Sequence, residues 1–204
     1  MLFYNIISYF YDFFFFNIFK LGNKTHPFLA LNEQINDSKI NVLDVCTGTA
    51  NIPLNLAKEY PQLQITGVDT SECMLKVANK KITKQKIKNM RLIKMNATKL
   101  DFKDEFFDIV TINFILHEIP QNQRDKLLIE AVRALKTGGT LYILDFALHK
   151  DRKTKLFMAI WSIIEPKSFK SYLRINWENE LLKYNLEFIN KKAFSFSDLI
   201  IAKK

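Results

Sequence analysis

The sequence predicts an α/β fold: a seven-stranded, mostly parallel sheet with helices on both faces and an antiparallel hairpin at its C-terminal edge. Three observations carry this. From residue 40 onward, short apolar runs alternate with helical patterns, as parallel strands joined by crossover helices require. The stretch VLDVCTGTANI, residues 42–52, runs a strand straight into a glycine-bearing loop and then a helix. The tail offers two β-rich runs separated only by Ser197-Asp198, a spacing that suits a hairpin.

Strands are expected at 40–45, 63–69, 90–95, 106–113 and 140–146, each rich in aliphatic or aromatic residues. Between them, helices are expected at 51–60, stopped by Pro61, then at 71–83 and 121–135. Gly138-Gly139 reads as the stop and turn after the last of these. Further helices are expected near 151–164 and 177–184, and the hairpin strands at 186–196 and 199–202. A parallel core that finishes in a hairpin is a Rossmann-like sheet, with any ligand at the carboxyl ends of its first strands. A length of 204 residues fits a single domain. It divides into a helical N-terminal segment, 1–36, and the core, 37–204.

Composition narrows the partners. Cys46 and Cys73 form no spaced pair and no ligand cluster with the three histidines, so neither a disulfide framework nor a metal site is expected. A reducing cytoplasmic location follows. The start, MLFYNIISYFYDFFFFNIFK, lacks a basic leader and a cleavage site, and Asp12 and Asn17 interrupt its apolar run. It reads as an amphipathic helix closing over the domain; a lid for an apolar substrate, or peripheral membrane contact through residues 3–19, is the sharper alternative. Net charge is +9, much of it on Lys76, Lys80, Lys81, Lys84, Lys86, Lys88, Arg91 and Lys94. No aromatic residue interleaves with these cations. That pattern argues for a solvated face and against a nucleic-acid surface.

The loop itself discriminates between ligands. A G-x-G-x-x-G fingerprint would fall on Cys46, Gly48 and Asn51, so two of its three glycines are absent. A pyrophosphate needs the partly positive amino end of the following helix, and Asp44 would repel it. S-adenosylmethionine carries an ammonium and a sulfonium instead, and for it Asp44 is an asset as an acceptor. Gly48 allows close backbone approach, and Thr47 and Thr49 add hydroxyls and amides. Cys46 and Ala50 replace glycine here on the expectation that both keep negative φ. Asp69, at the tip of the second strand, can accept from both ribose hydroxyls.

VLDVCTGTANIPL, ITGVDTSECML, MNATKLDFKDEFFDIVTINFILHEIP and RALKTGGTLYILDFAL resemble, in order and spacing, the motifs of class I S-adenosylmethionine-dependent methyltransferases. The subfamily that the sequence most resembles is that of the ubiquinone and menaquinone C-methyltransferases, over roughly residues 8–203. The resemblance implies a methyltransferase that forms S-adenosylhomocysteine as product. Asp44 and Thr47, Gly48, Thr49 and Ala50 would hold the methionine end and Asp69 the ribose. Thr70 and Met74 would flank the adenine, Asn96 and Ala97 would lie beside its amino group, and Asn113 would pass close to the methionine moiety. Asn96 stands where the family has Asp, and its amide oxygen can still accept.

For the acceptor, the reading is a small apolar or aromatic molecule, quinone-precursor-like or lipid. A non-catalytic cofactor-binding module and a basic RNA-associated protein are the rival readings. His117 and Glu118, in FILHEIP, follow the fourth strand. His117 is the candidate base; a histidine packed before the next helix is the alternative. Asp145 at the end of the fifth strand and Tyr11 near the amino terminus are further pocket candidates. Asn113-Phe114-Ile115-Leu116 lacks the Asn/Asp-Pro-Pro-aromatic motif of nucleic-acid amine methylation. The segment after the fifth strand lacks the tyrosine-leucine-proline stretch of the quinone enzymes, although Trp161, Ile163, Ile164 and Phe169 could line an apolar pocket.

Overall fold

The computed structural model describes residues 39–149, 168–194 and 196–204. The expected N-terminal segment with Tyr11, the expected helix at 151–164, and Trp161, Ile163 and Ile164 lie outside them. The chain divides into two compact units, Met1–Asn96 and Ala97–Lys204. The seven expected strands are all present.

In the first unit, β1 (Ile40–Val45), β2 (Leu63–Asp69) and β3 (Met90–Lys94) are parallel, with β2 in the middle. Val42, Leu43 and Val45 of β1 and Ile65 and Val68 of β2 are almost wholly buried, as strands covered on both faces should be. Helix α1 (Asn51–Glu59) buries Leu54, Leu56 and Ala57 and stops before Pro61. Helix α2 (Glu72–Lys84) buries Leu75, Ala78 and Ile82. Ser71 caps α2, its Oγ accepting from Met74 N at 3.4 Å, so it precedes the helix rather than starting it. Asn89 joins the end of α1 to the start of β2, its Nδ2 donating to the carbonyls of Ala57, Tyr60 and Leu63.

The basic segment is mostly the solvated face expected of it, with Lys80, Lys84, Lys86 and Lys88 exposed. Lys81 departs from this. Its Nζ turns back to donate to Thr49 O at 3.2 Å and Asn51 Oδ1 at 2.6 Å, fixing the start of α1 to α2.

The second unit orders its strands β4 (Phe107–Asn113), β5 (Leu135–Phe146), β7 (Ser197–Lys203) and β6 (Glu187–Ala193). β4 and β5 are parallel; β7 runs antiparallel to both β5 and β6. Helix α3 (Gln121–Ala134) leads directly into β5, while α4 (Ser168–Tyr172) and α5 (Trp177–Leu182) are short. The exposed edge strand β6 carries Lys191 and Lys192, a charge pattern that protects a sheet edge from pairing.

Two expectations fail here. Gly138-Gly139 is not a helix stop: Leu135 is already extended, at φ −77° and ψ 134°, so the helix ends without a glycine cap. Both glycines lie inside β5. Gly138, at φ +76°, donates its N–H to Lys204 O, and a Cβ at Gly139 would lie 3.0 Å or less from Asp108 O and Lys136 O. Ser197 and Asp198 do not separate the hairpin strands but belong to β7, opposite Phe146 and Asp145. Phe194 N donates to Ser197 O where the two hairpin strands meet.

The segment before β4 is held by two side chains of α3. Arg133 donates to Leu100 O, Phe102 O and the Asp104 and Glu130 carboxylates, while Glu130 accepts from Leu100 N at 2.7 Å. Hydrogen bonding from Arg133, joined by the Leu100 N–H, holds the Glu130 carboxyl below its ordinary range. A lowered carboxyl contributes stability above its unfolded value and loses it as pH falls through the folded one. The urea midpoint of Glu130→Gln is therefore expected to fall less than that of the wild type between pH 6 and 3.

Candidate functional site

The loop after β1 is built on backbone conformations that most residues avoid. Cys46, Gly48 and Ala50 have φ of 56°, 54° and 60°, all in the left-handed region. The expectation of negative φ at Cys46 and Ala50 is thus overturned. These two side chains sit where glycine would relax the backbone, at about 1 kcal/mol or more each. Their small size keeps the strain tolerable: Ala50 is fully buried and begins α1 without any side-chain cap. Cys46→Gly and Ala50→Gly are each expected to raise stability by up to about 1 kcal/mol, read as a higher urea midpoint.

Alternation of φ sign turns successive amides into a concavity suited to an anion. In this protein the anion is internal. Gly48 N donates to Asp69 Oδ2 at 2.8 Å, and Ser71 N donates to Asp69 Oδ1 at 2.8 Å. Thr47 N donates to Val68 O and Ala50 N to Thr47 O, which closes the turn. Asp69 thereby ties the β1–α1 loop to the start of α2, and its carboxylate occupies the amide that a phosphate would seek. Each of its oxygens keeps a lone pair for a further donor.

Around this clamp, Asp44 is buried in β1 opposite Gly67. Gly67 makes room for Thr47: a Cβ there would lie 2.9 Å from Thr47 Oγ1 and 2.9 Å from Leu92 Cδ2. Among the described residues, the buried Thr47 hydroxyl has no hydrogen-bond partner and a Cβ on Gly48 would meet nothing within 4 Å. Thr49 is buried, and its carbonyl accepts from Lys81. Thr70 is exposed, Met74 is half-buried in the first turn of α2, and Asn96 is exposed at the end of the unit. Gly67, Ser71 and Lys81 escaped the sequence reading. Gly67 and Ser71 stand within the second motif, but neither looks chemical until the loop is folded.

In the second unit Ala97 is buried and Asn113 ends β4. The chain then turns at Phe114, with φ +50°, into a segment held from two sides. Asp145 Oδ2 accepts from Leu116 N at 2.9 Å and His117 N at 3.4 Å; Oδ1 accepts from Phe146 N at 2.7 Å. Arg124, fully buried on α3, donates to Leu116 O at 3.0 Å, Ile119 O at 3.1 Å and Gln121 Oε1 at 2.9 Å. Its guanidinium carbon lies 5.2 Å from the Tyr172 ring centroid, and burial lowers its proton affinity. Burial also pushes the Tyr172 hydroxyl well above its ordinary value, with the Asp145 charge adding to it.

His117 points inward. Its Nδ1 lies 2.5 Å from Asp145 Oδ1, and only 2 % of its side chain is exposed. Phe146, Phe169 and Tyr172 surround the ring edge-on, with centroids 4.7, 5.7 and 6.2 Å away. The candidate base is thus a buried, packed histidine, paired with the pocket candidate Asp145. Among the described residues there is no grouping of three or more metal-ligand side chains, and no helix is long and apolar enough to cross a membrane.

Comparison with known proteins places this geometry. The structure of an S-adenosylmethionine-dependent methyltransferase from Aquifex aeolicus superposes with a TM-score of 0.68, covering 86 % of this chain and 88 % of that one at 22 % identity. At that identity the likeness shows the fold, which is the Rossmann-like class expected. A demethylmenaquinone methyltransferase of Listeria monocytogenes serotype 4a is 40 % identical over 146 residues, or 69 % of this chain and 61 % of that one. The enzyme of the same name from Listeria welshimeri is 40 % identical over 166 residues, covering 78 % and 68 %. This chain thus spans about three fifths of the length of the first of these relatives. The ubiE/COQ5 methyltransferase family matches residues 8–170, which include the whole β1–α1 loop, Asp69 and the His117–Asp145 pair, and the chain belongs to that family.

Proposed function

We propose that this protein transfers a methyl group from S-adenosylmethionine to a ring carbon of a quinol-type acceptor like that of the demethylmenaquinone methyltransferases. The observation that carries the reading is the loop whose anion-seeking Gly48 amide is already filled by Asp69. Such a loop refuses a pyrophosphate and still offers carboxylate lone pairs to hydroxyl donors.

The residues present fit this ligand. Among the described residues, the buried Thr47 hydroxyl lacks a partner and the space beside Gly48 is open, and Asp44 brings a buried carboxylate to β1. Asp44, Thr47, Gly48, Thr49 and Ala50 would hold the methionine end and Asp69 the ribose. Thr70, Met74, Asn96 and Ala97 would serve the adenine, and the chain at Asn113 would pass close to the methionine moiety. The bound cofactor supplies a methyl group on a positively charged sulfur. The protein's part is to hold the acceptor in line and near, which is the main demand of a displacement.

The test is transfer of labelled methyl from S-adenosylmethionine to a short-chain demethylmenaquinol. Label appearing in the quinol at turnover well above background is expected. Binding of S-adenosylhomocysteine without transfer to any quinol would favour the non-catalytic module, and label in phospholipid would name the other acceptor class. Peripheral membrane contact through residues 3–19 predicts sedimentation with anionic vesicles that is lost when those residues are removed.

A further inference from the structure

Within the second unit, the geometry points to an acid–base relay Asp145–His117–Glu118, in which Asp145 fixes the His117 tautomer so that Nε2 accepts a proton from the acceptor's hydroxyl. The inference rests on the methyltransferase reading and assigns its proton acceptor.

Three observations support it. Asp145 is saturated with donors: three backbone amides, from Leu116, His117 and Phe146, point at its two oxygens. A carboxylate so placed stays an acceptor, so the 2.5 Å approach of His117 Nδ1 puts a proton on Nδ1 and makes Nε2 the basic nitrogen. The ring cannot swing away, because Phe146, Phe169 and Tyr172 pack around it. Nε2 lies 3.9 Å from Glu118 Oε1, and 43 % of the Glu118 side chain is exposed. A proton accepted at a buried nitrogen therefore has a carboxylate beside it that reaches solvent.

The chemistry balances. Removing the hydroxyl proton pushes electron density onto the ring carbon, which forms the new C–C bond as the S–C bond breaks and a neutral thioether leaves. The ring carbon's own hydrogen departs as a proton and restores the hydroxyl. One proton per turnover leaves through His117 and Glu118, as conversion of a sulfonium to a thioether requires. Among the described residues, further charged or titratable groups stand near the histidine. Tyr172 of α4 packs on its ring, Arg124 of α3 holds the Leu116 carbonyl beside it, and Asp198 of β7 stands opposite Asp145.

The test combines nitrogen NMR of the His117 ring with rates for wild type, Asp145→Asn, Glu118→Gln and His117→Gln. The wild-type ring is expected to carry its proton on Nδ1. In Asp145→Asn an amide that donates to Nδ1 moves the proton to Nε2, and kcat falls by about 10²-fold or more while the affinity for S-adenosylhomocysteine stays within two-fold. His117→Gln is expected to lose a similar factor. The Phe146 amide faces a donor in Asp145→Asn and that variant can fold poorly, so the exposed Glu118→Gln provides an independent reading. Removing a negative charge beside Nε2 should move the acidic limb of the pH–rate profile to lower pH. A merely structural histidine would leave that limb in place. A wild-type ring protonated on Nε2, or full turnover in a folded Asp145→Asn or His117→Gln, would overturn the inference alone. A wild type that binds S-adenosylhomocysteine but methylates no quinol would overturn the functional reading and this inference with it.

Discussion

Asp69→Ala is expected to weaken S-adenosylhomocysteine binding by about 100-fold, the equivalent of about 3 kcal/mol of hydrogen bonding to a charged group. Two losses combine in that figure. The direct one is the pair of lone pairs that would take the ribose hydroxyls. The indirect one is structural: without the carboxylate, the amides of Gly48 and Ser71 lose their partner, and the left-handed loop is no longer tied to α2. Asp69→Asn separates the two. An amide can satisfy Gly48 N or Ser71 N through its oxygen but must turn its NH₂ toward the other, so the loop is disturbed at one end only. Its affinity should fall between those of wild type and Asp69→Ala, and titration calorimetry on all three proteins gives the comparison.

Arg124→Met should be the most destabilising single substitution in the second unit, at about 3–5 kcal/mol. Arg124 is wholly buried, and its guanidinium is the donor for the carbonyls of Leu116 and Ile119. Methionine fills much of the volume but leaves both oxygens without that donor, beside the Asp145 carboxylate. For a chain of this size the melting temperature is expected to drop by about 10 °C or more. Arg124→Lys should recover only part of the loss, because one ammonium cannot reproduce a planar fork that reaches two carbonyls and Gln121 at once. Thermal melts of the two variants followed by circular dichroism measure both effects.

Much of this was legible in the sequence, and for identifiable reasons. β1 and β2 have the boundaries expected of them, since continuous apolar runs there meet clear turn residues. Neighbouring elements differ by a residue or two where caps and frayed ends decide the limits. The misread positions share a cause: Gly138-Gly139 and Ser197-Asp198 have turn composition, but Ser197 and Asp198 pair with Phe146 and Asp145, and hydrogen bonds with Lys204 hold the two glycines within β5. Composition reports local preference, and here tertiary pairing outweighs it.

Legibility of the site follows the same division. Asp44, Gly48 and Asp69 announce themselves because a carboxylate or a glycine at a strand end has few structural uses. The left-handed conformations of Cys46 and Ala50 do not, since nothing in their identity demands positive φ. Arg124 was also hidden. It lies in Gln121-Asn122-Gln123-Arg124-Asp125-Lys126, a run that reads as a solvated helix face, and only the fold turns it toward the Leu116 and Ile119 carbonyls. Asp145 gave a partial signal as a carboxylate closing an otherwise apolar strand, but its three amide donors could be seen only in three dimensions.

The central claim is that the loop closed by Asp69 binds an adenosyl sulfonium cofactor and not a dinucleotide. Titration calorimetry of the wild-type protein with S-adenosylhomocysteine and then with NADH tests it most directly. Micromolar binding of the first ligand, weakened in both Asp69→Ala and Asp44→Asn, with no heat from NADH, is the result expected. Binding of NADH in its place, or of neither ligand, would contradict the account.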